Sequence, residues 1–453
     1  MYGQGRGIAM PNAKMASSSS SSSTSSSSSL RTHAPVARTL SPSEADVELK
    51  MAVDVSPVCS CEDVSYVSNL GVSSGWVTVV AVSTSPDSMG QVKTTTHAGR
   101  GEAVMMSARY IYVSATNWDY TMLSDGEPRD GQWTVVLQFA LALGSPTFSR
   151  LYTVPGSIVN QFALDEHEGH LRIATTWGDM WRDPPTSVSN VYIYDTEDGR
   201  QAGKVEGLAP GERIYAVRFA GDTGYIVTFR QVDPLFVLDL SDAAHPLVRG
   251  QLKIPGFSEY LHPISSSLLL GLGKDTEDDA NGGALVLGVK LSLFDVGKPE
   301  KPVELASMIV GHRGTNSLAS YDHKAFLFHP ASGLLVLPMQ VWERPKGNEE
   351  RYSEEVVFDG AYLFYIHDQA ISLYDKVSHQ SDKMPKGWRW GYGNGERQIY
   401  RSVYMDANLV TISDRHVQIY DLANKAKLRD SSLNLTRPQC LAQPPDFWTN
   451  VVY

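Results

Sequence analysis

One pattern recurs along this 453-residue chain and limits what it can fold into. A short apolar run ends in aromatic-Asp or Leu-Asp, and a polar turn follows. It reads Val191-Tyr-Ile-Tyr-Asp195, Leu235-Phe-Val-Leu-Asp239, Leu291-Ser-Leu-Phe-Asp295 and Val417-Gln-Ile-Tyr-Asp421. Weaker copies stand at 77–82, 134–141 and 362–366. Counted from Val80, Leu137, Ile193, Val237, Leu293, Phe364 and Ile419, the intervals are 57, 56, 44, 56, 71 and 55 residues. The longest interval holds a polar insert, 342–355, expected to be a surface loop.

Further apolar runs fill each interval. In the clearest stretch, 214–219, 225–229 and 235–240 read as three strands of one unit, and 248–254 reads as opening the next. Four short strands in about 55 residues match the period and content of β-propeller blades. No helical pattern of the length a βαβ array needs lies between strands. The recurring strands are apolar on both faces: Phe236 and Leu238 on one, Leu235 and Val237 on the other. A sheet with one wet face would alternate instead. The runs 165–169 and 220–224 carry the glycines of tight hairpins.

The expected fold is all-β: a β-propeller with six complete four-stranded blades, from about 91 to 422, plus a composite or partial seventh. Orphan strands at 76–82 and 427–433 are expected to share that seventh blade and close the ring, because open strand edges invite pairing with other chains. The expected domains are a disordered low-complexity tail over 1–46, the propeller over 47–436, and a C-terminal tail over 437–453. Closure in this manner brings Cys440 near Cys59 or Cys61, so a Cys61–Cys440 disulfide is one expectation and three unpaired thiols the other.

Composition excludes several classes. The formal net charge of −11 opposes a nucleic-acid partner held through phosphates. No apolar run approaches 18 residues, so no transmembrane segment is expected. Three cysteines without CxxC spacing do not make a zinc site. Residues 1–40 contain no acid and include a Ser/Thr tract over 17–29, which buries nothing and is expected to be disordered. Organelle targeting remains open for so acid-poor a start, whereas the apolar core of a secretory signal is missing.

Several stretches together resemble the largely prokaryotic, secreted or membrane-anchored proteins that carry a C-terminal β-propeller domain. They are Cys61-Glu-Asp-Val64, Val159-Asn-Gln-Phe162, Gly207-Leu-Ala-Pro-Gly-Glu-Arg-Ile214 and Val227-Thr-Phe-Arg-Gln-Val-Asp-Pro-Leu-Phe236. Leu252-Lys-Ile-Pro-Gly-Phe257, Lys290-Leu-Ser-Leu-Phe-Asp-Val296 and Tyr321-Asp-His-Lys-Ala-Phe326 belong with them. The resemblance covers roughly 61–433. It implies the propeller fold, a secreted or cell-surface setting, and further strands and an anchor upstream, where this chain has the Ser tract. It implies no particular reaction.

Candidate chemistry is sparse. Gly71-Val-Ser-Ser-Gly75 has hydrolase spacing but no helix after it. His167-Glu-Gly-His170 lies on a turn and lacks the spacing of a helical zinc motif. Asp275, Glu277, Asp278 and Asp279 form the densest carboxylate run, either an exposed acidic hairpin loop or a calcium site. Arg230, Gln231 and Asp233 form one polar cluster, and Asp322, His323 and Lys324 a second. Arg230 and Asp233 either make a buried ion pair between blades or rim the central funnel with the second cluster and hold a ligand. The expected function is a non-enzymatic binding or scaffolding propeller, monomeric, with a protein, small-molecule or glycan ligand and no cofactor. The alternative is a hydrolase or lyase working at the funnel mouth.

Overall fold

The structure is a computed structural model. It describes residues 36–40, 53–57, 64–65, 75–119, 131–141, 145–230, 233–278, 284–345, 354–367, 369–380 and 397–432. Two units are distinguished, Met1–Val64 and Ser65–Tyr453. In the first, Val36–Leu40 pairs antiparallel with Val53–Pro57, so a strand lies within the segment expected to be a structureless tail.

Six sheets of the second unit are antiparallel meanders in which sheet order follows chain order. Blade 1 comprises Ala103–Met106, Tyr110–Asp119, Gly131–Ala140 and Thr147–Pro155. Blade 2 comprises Leu164–His167, His170–Trp177, Val188–Asp195 and Gln201–Leu208. Blade 3 runs Arg213–Ala220, Thr223–Phe229, Asp233–Asp239 and Leu247–Ile254. Blade 4 runs Phe257–Pro263, Leu268–Asp278, Ala284–Asp295 and Val303–Val310. In blade 5 the first position is split: Asn316–Ser317 and Leu327–His329 both pair with Leu334–Glu343. Glu355–His367 and Ala370–Val377 complete that blade. Blade 6 is Arg401–Met405, Asn408–Ile412, His416–Asp421 and Ala426–Ser432. The six expected blades are present.

The frame of the repeat is one strand away from the sequence reading. The segment 248–254 closes blade 3 as its fourth strand and does not open blade 4. The same shift places Ala426–Ser432 in blade 6, against His416–Asp421. It is therefore not an orphan, and the expected composite of 427–433 with Trp76–Val82 does not form. Trp76–Val82 pairs with Val92–Ala98 in a partial seventh sheet. The hydrophobic pattern marks strands, but it cannot say which side of a turn begins a blade.

Burial explains why the recurring strands are apolar on both faces. Leu293 and Phe294 are neighbours on opposite faces, and both are fully buried. Leu293 joins a cluster with Leu335 and Phe364 of blade 5. Phe294 joins one with Val237 of blade 3. Comparable clusters link blades 1 and 2, 2 and 3, and 5 and 6. Val77 and Val79 of the partial sheet pack on blade 1. Among the described residues, no such cluster joins blade 6 back to the partial sheet. Burying each such side chain contributes about 1.5–3 kcal/mol, so the propeller is held chiefly by these blade-to-blade seams.

The recurring Asp closes the turn after the third strand. Asp195 accepts from the amides of Glu197 and Asp198 at 2.7 and 2.9 Å. Asp239 accepts from Ser241, Asp295 from Gly297, and Asp421 from Ala423 and Asn424. A carboxylate that accepts amides two residues on makes a turn of its own, which accounts for Asp at this place.

Crossovers between blades have a second marker. Gly156, Gly211, Gly256 and Gly311 sit where one blade's outer strand leads to the next blade's inner strand, all at positive φ. At Gly256, φ is 86° and a Cβ would lie 2.4 Å from the Lys274 carbonyl oxygen. Only glycine has both the conformation and the space for that approach.

The insert at 342–355 is only partly a loop. Trp342 and Glu343 end one strand of blade 5 and Glu355 begins the next, with Trp342 opposite Val356. No helix among the described residues is long and apolar enough to cross a membrane.

Candidate functional site

Side chains from the inner strands of blades 3, 4 and 6 and from the inner segments of blades 2 and 5 meet in one cluster. Two short 3-10 turns set it up. Asn160 caps the turn Gln161–Ala163 by accepting from the Phe162 amide at 2.9 Å. Asp322 caps His323–Ala325 by accepting from the Lys324 amide at 2.9 Å. The second turn lies in the excursion between the two halves of the split inner strand of blade 5. That excursion carries His323 far enough to meet blade 2. The Gln161 side-chain amide donates to His323 Nδ1 at 2.8 Å, across a sequence separation of 162 residues.

Phe162 is the hub. Its ring lies 5.2 Å edge-on from His323 and 5.4 Å from Tyr260 of blade 4. The Arg218 guanidinium of blade 3 sits over it at 4.8 Å. Phe326 packs on Tyr260 at 5.0 Å and on His262 at 4.8 Å. Arg401 of blade 6 binds the other Asp322 oxygen at 2.8 Å.

Electrostatics follow from this crowding. Burial, with Arg218 adding to it, pushes His262 down to about 4. Burial also holds His323 below its ordinary value despite the Asp322 carboxylate, and Lys324, Arg218 and Arg401 reinforce that. Burial alone would raise Asp322, but the Arg401 bond and the Lys324 amide hold it below the usual carboxylate range. Both imidazoles are therefore neutral near pH 7.

The structure brings Asp322, His323 and Lys324 together with groups the sequence reading did not single out: Gln161, Phe162, Arg218, Tyr260, His262 and Arg401. Arg230 lies elsewhere. It is exposed in the connection between the second and third strands of blade 3, so it is no member of a buried pair. Gln231 and the Asp233 side chain lie outside the described residues. A mostly buried ion pair lies instead within blade 2: Arg172, only 3% exposed, holds Asp165 on the neighbouring strand and, across the seam, donates to the Gly221 carbonyl of blade 3 at 2.7 Å.

The acidic run is mostly strand and not a loop. Asp275 and Glu277 lie in Leu268–Asp278, with Glu277 opposite Leu285. Burial raises Asp275, while Lys290 pulls it down. Asp279 and the Asp278 side chain lie outside the described residues. So do Cys59, Cys61 and Cys440, and residues 71–74. The grouping of metal-ligand type among the described residues is instead His167, Glu168 and Asp222, on two hairpin tips. There His167 Nε2 and Asp222 Oδ1 lie 3.1 Å apart.

Successive four-stranded sheets joined through buried seams agree with what comparison with known proteins finds. The model of the beta propeller domain family matches residues 12–425. The chain belongs to this family. An uncharacterized protein of Archaeoglobus fulgidus is 37% identical over 265 residues, 55% of this chain and 38% of that protein. An uncharacterized protein of Methanocaldococcus jannaschii is 35% identical over 271 residues, 60% of this chain and 36% of that protein. The chain thus spans less than two-fifths of the length of these relatives. Among solved structures, the C-terminal WD40 domain of Sif2 aligns with a TM-score of 0.36 and 10% identity, over 74% of this chain and 76% of that one. The periplasmic gluconolactonase of Pseudomonas aeruginosa aligns with a TM-score of 0.39 and 10% identity, over 79% and 96%.

Proposed function

We propose that this chain is a binding propeller without catalytic activity of its own, and that its ligand is held at the cluster around Phe162. The carrying observation is the convergence of Gln161, Phe162, Arg218, Tyr260, His323 and Arg401 from five blades. Loops or strands from many blades meeting at one place give a rigid platform that no single blade could offer. The hydrogen-bonding side chains are positioned by blade packing, so little ordering is needed on binding.

A hydrolase or lyase at the same place is the second reading. Its support is the pair of neutral imidazoles, His262 and His323, each in the form that accepts a proton. Against it, the partners seen at these rings are the Gln161 amide and the Tyr260 phenol, not a serine, threonine or cysteine paired with its base. Acyl transfer through a side-chain nucleophile needs such a pair.

A thermal-shift screen of small molecules on wild type and on Phe162→Ala tests the binding reading. Compounds that stabilise wild type and lose their effect in Phe162→Ala support it. Compounds that act equally on both, or turnover of any hit by the wild-type protein, contradict it.

A further inference from the structure

We propose that the cluster around Phe162 is a receptor for an oxyanion, a carboxylate or phosphate group on a small molecule, with Arg218 as its principal contact. This rests on the binding reading above and gives that ligand a chemical class.

Arg218 carries the observation. Its guanidinium is half-buried, and Nε is buried with no hydrogen-bond partner. Among the described residues no carboxylate and no carbonyl engages it. Its guanidinium lies over the face of the Phe162 ring, at 4.8 Å. A cation–π contact uses the flat side of the guanidinium, whereas its five N–H donors lie in the plane. Those in-plane donors match the paired oxygens of a carboxylate or phosphate.

The neighbours are donors or cations too. Gln161 donates to His323 Nδ1, which puts the proton of the neutral ring on Nε2 and makes that nitrogen a donor. The nearby carboxylate, Asp322, is already taken by Arg401 and by the Lys324 amide. Arg218 is thus a cation among neutral rings and other cations, in a chain whose net charge is −11. An excess of acid over the whole chain and a local excess of cation at the cluster are not explained by fold stability. A partly desolvated guanidinium without an acceptor is costly, and an oxyanion removes that cost.

The test uses the full chain, with inorganic phosphate and succinate as probes, measured by calorimetry in low-salt buffer at pH 7. Binding of either probe, weakened tenfold or more in Arg218→Gln, is the expected result. Phosphate binding points to a phosphate-bearing ligand, and succinate binding to a carboxylate. Arg218→Lys keeps the charge without the paired donors and should fall between wild type and Arg218→Gln. If Arg218→Gln fails to fold, wild type and Arg218→Lys decide the matter. Absence of binding of both probes to wild type, or equal binding by every variant, overturns the inference. Neutral compounds that bind wild type and are lost in Phe162→Ala, with neither anion binding, overturn the oxyanion inference and leave the binding site standing. If neither neutral compounds nor anions bind, both are overturned.

Discussion

Gln161 and His323 are 162 residues apart and belong to blades 2 and 5, yet the amide of one donates to the imidazole of the other at 2.8 Å. The stretches that hold them, Val159-Asn-Gln-Phe162 and Tyr321-Asp-His-Lys-Ala-Phe326, therefore form one site. Phe162 is its packing centre, touching His323, Tyr260 and Arg218. Phe162→Ala should cost about 2–3 kcal/mol, less than loss of a fully buried phenyl, because this ring is half-exposed. Urea unfolding measures this, and a change below 0.5 kcal/mol would show the ring to be peripheral.

The Arg172–Asp165 pair of blade 2, tied to blade 3 through the Gly221 carbonyl, makes a sharper stability claim. Arg172 is nearly inaccessible, bound to Asp165 and to the Gly221 carbonyl, with its guanidinium 5.0 Å from the Phe219 ring. Arg172→Ala strands the Asp165 carboxylate and the Gly221 carbonyl and should cost about 3 kcal/mol. Arg230→Ala, at an exposed position, should change stability by less than about 0.5 kcal/mol. Comparable losses in the two variants would contradict the assignment.

Crossover glycines should differ from hairpin glycines. Gly256 and Gly221 both have positive φ, 86° and 56°. A Cβ on Gly256 would meet backbone at 2.4 Å, whereas nothing lies within 4 Å of one on Gly221. Gly221→Ala should therefore cost about 1 kcal/mol from backbone conformation alone. Gly256→Ala should cost about 2 kcal/mol or more, because the crossover must also move away from the Lys274 backbone in the second strand of blade 4. The difference between the two urea midpoints isolates the close approach.

Acid should unfold the protein in two stages. Burial pushes His262 and His379 down from 6.5 to about 4, and His379 is bound to Ser413 and Thr411. Their folded values lie below their unfolded ones. Their contribution is therefore complete above pH 6.5 and is lost as pH falls through 4. The Ser241 hydroxyl and amide and Arg249 depress Asp239 to about 2. Its contribution is present above the unfolded value of 3.8 and disappears as pH falls through 2. The melting temperature should decline between pH 6.5 and 4, then decline again below. His379→Gln should flatten the first decline only. A melting temperature constant from pH 7 to 4.5 would contradict the first stage.

The blades were legible because strand patterns are local. Leu291, Leu293 and Phe294 are apolar on both faces because both faces are covered, and the Asp295 turn marks each repeat. The blade frame was not legible, since 248–254 has the same character whether it ends one sheet or begins another. The cluster was half legible. Asp322, His323 and Lys324 announce themselves as three adjacent polar residues. Arg218 and His262 are single polar residues in apolar strands, and Gln161 gains its meaning only from a partner 162 positions away. The short pattern Asn-Gln-Phe at 160–162, a capped turn just before an inner strand, was the available signal. For Arg230 the sequence left a buried ion pair and an exposed position open, because a polar residue in a strand connection reads alike in both; its exposure removes the buried pair.

A double-mutant cycle on Gln161→Ala and His323→Ala tests the central claim, that inner segments of non-neighbouring blades build one site. Unfolding free energies of wild type, both single variants and the double variant give the coupling directly. A hydrogen bond between these side chains should give a coupling of about 1 kcal/mol. Strict additivity, with a coupling within about 0.3 kcal/mol of zero, would mean that the two residues do not meet and that the site is not there.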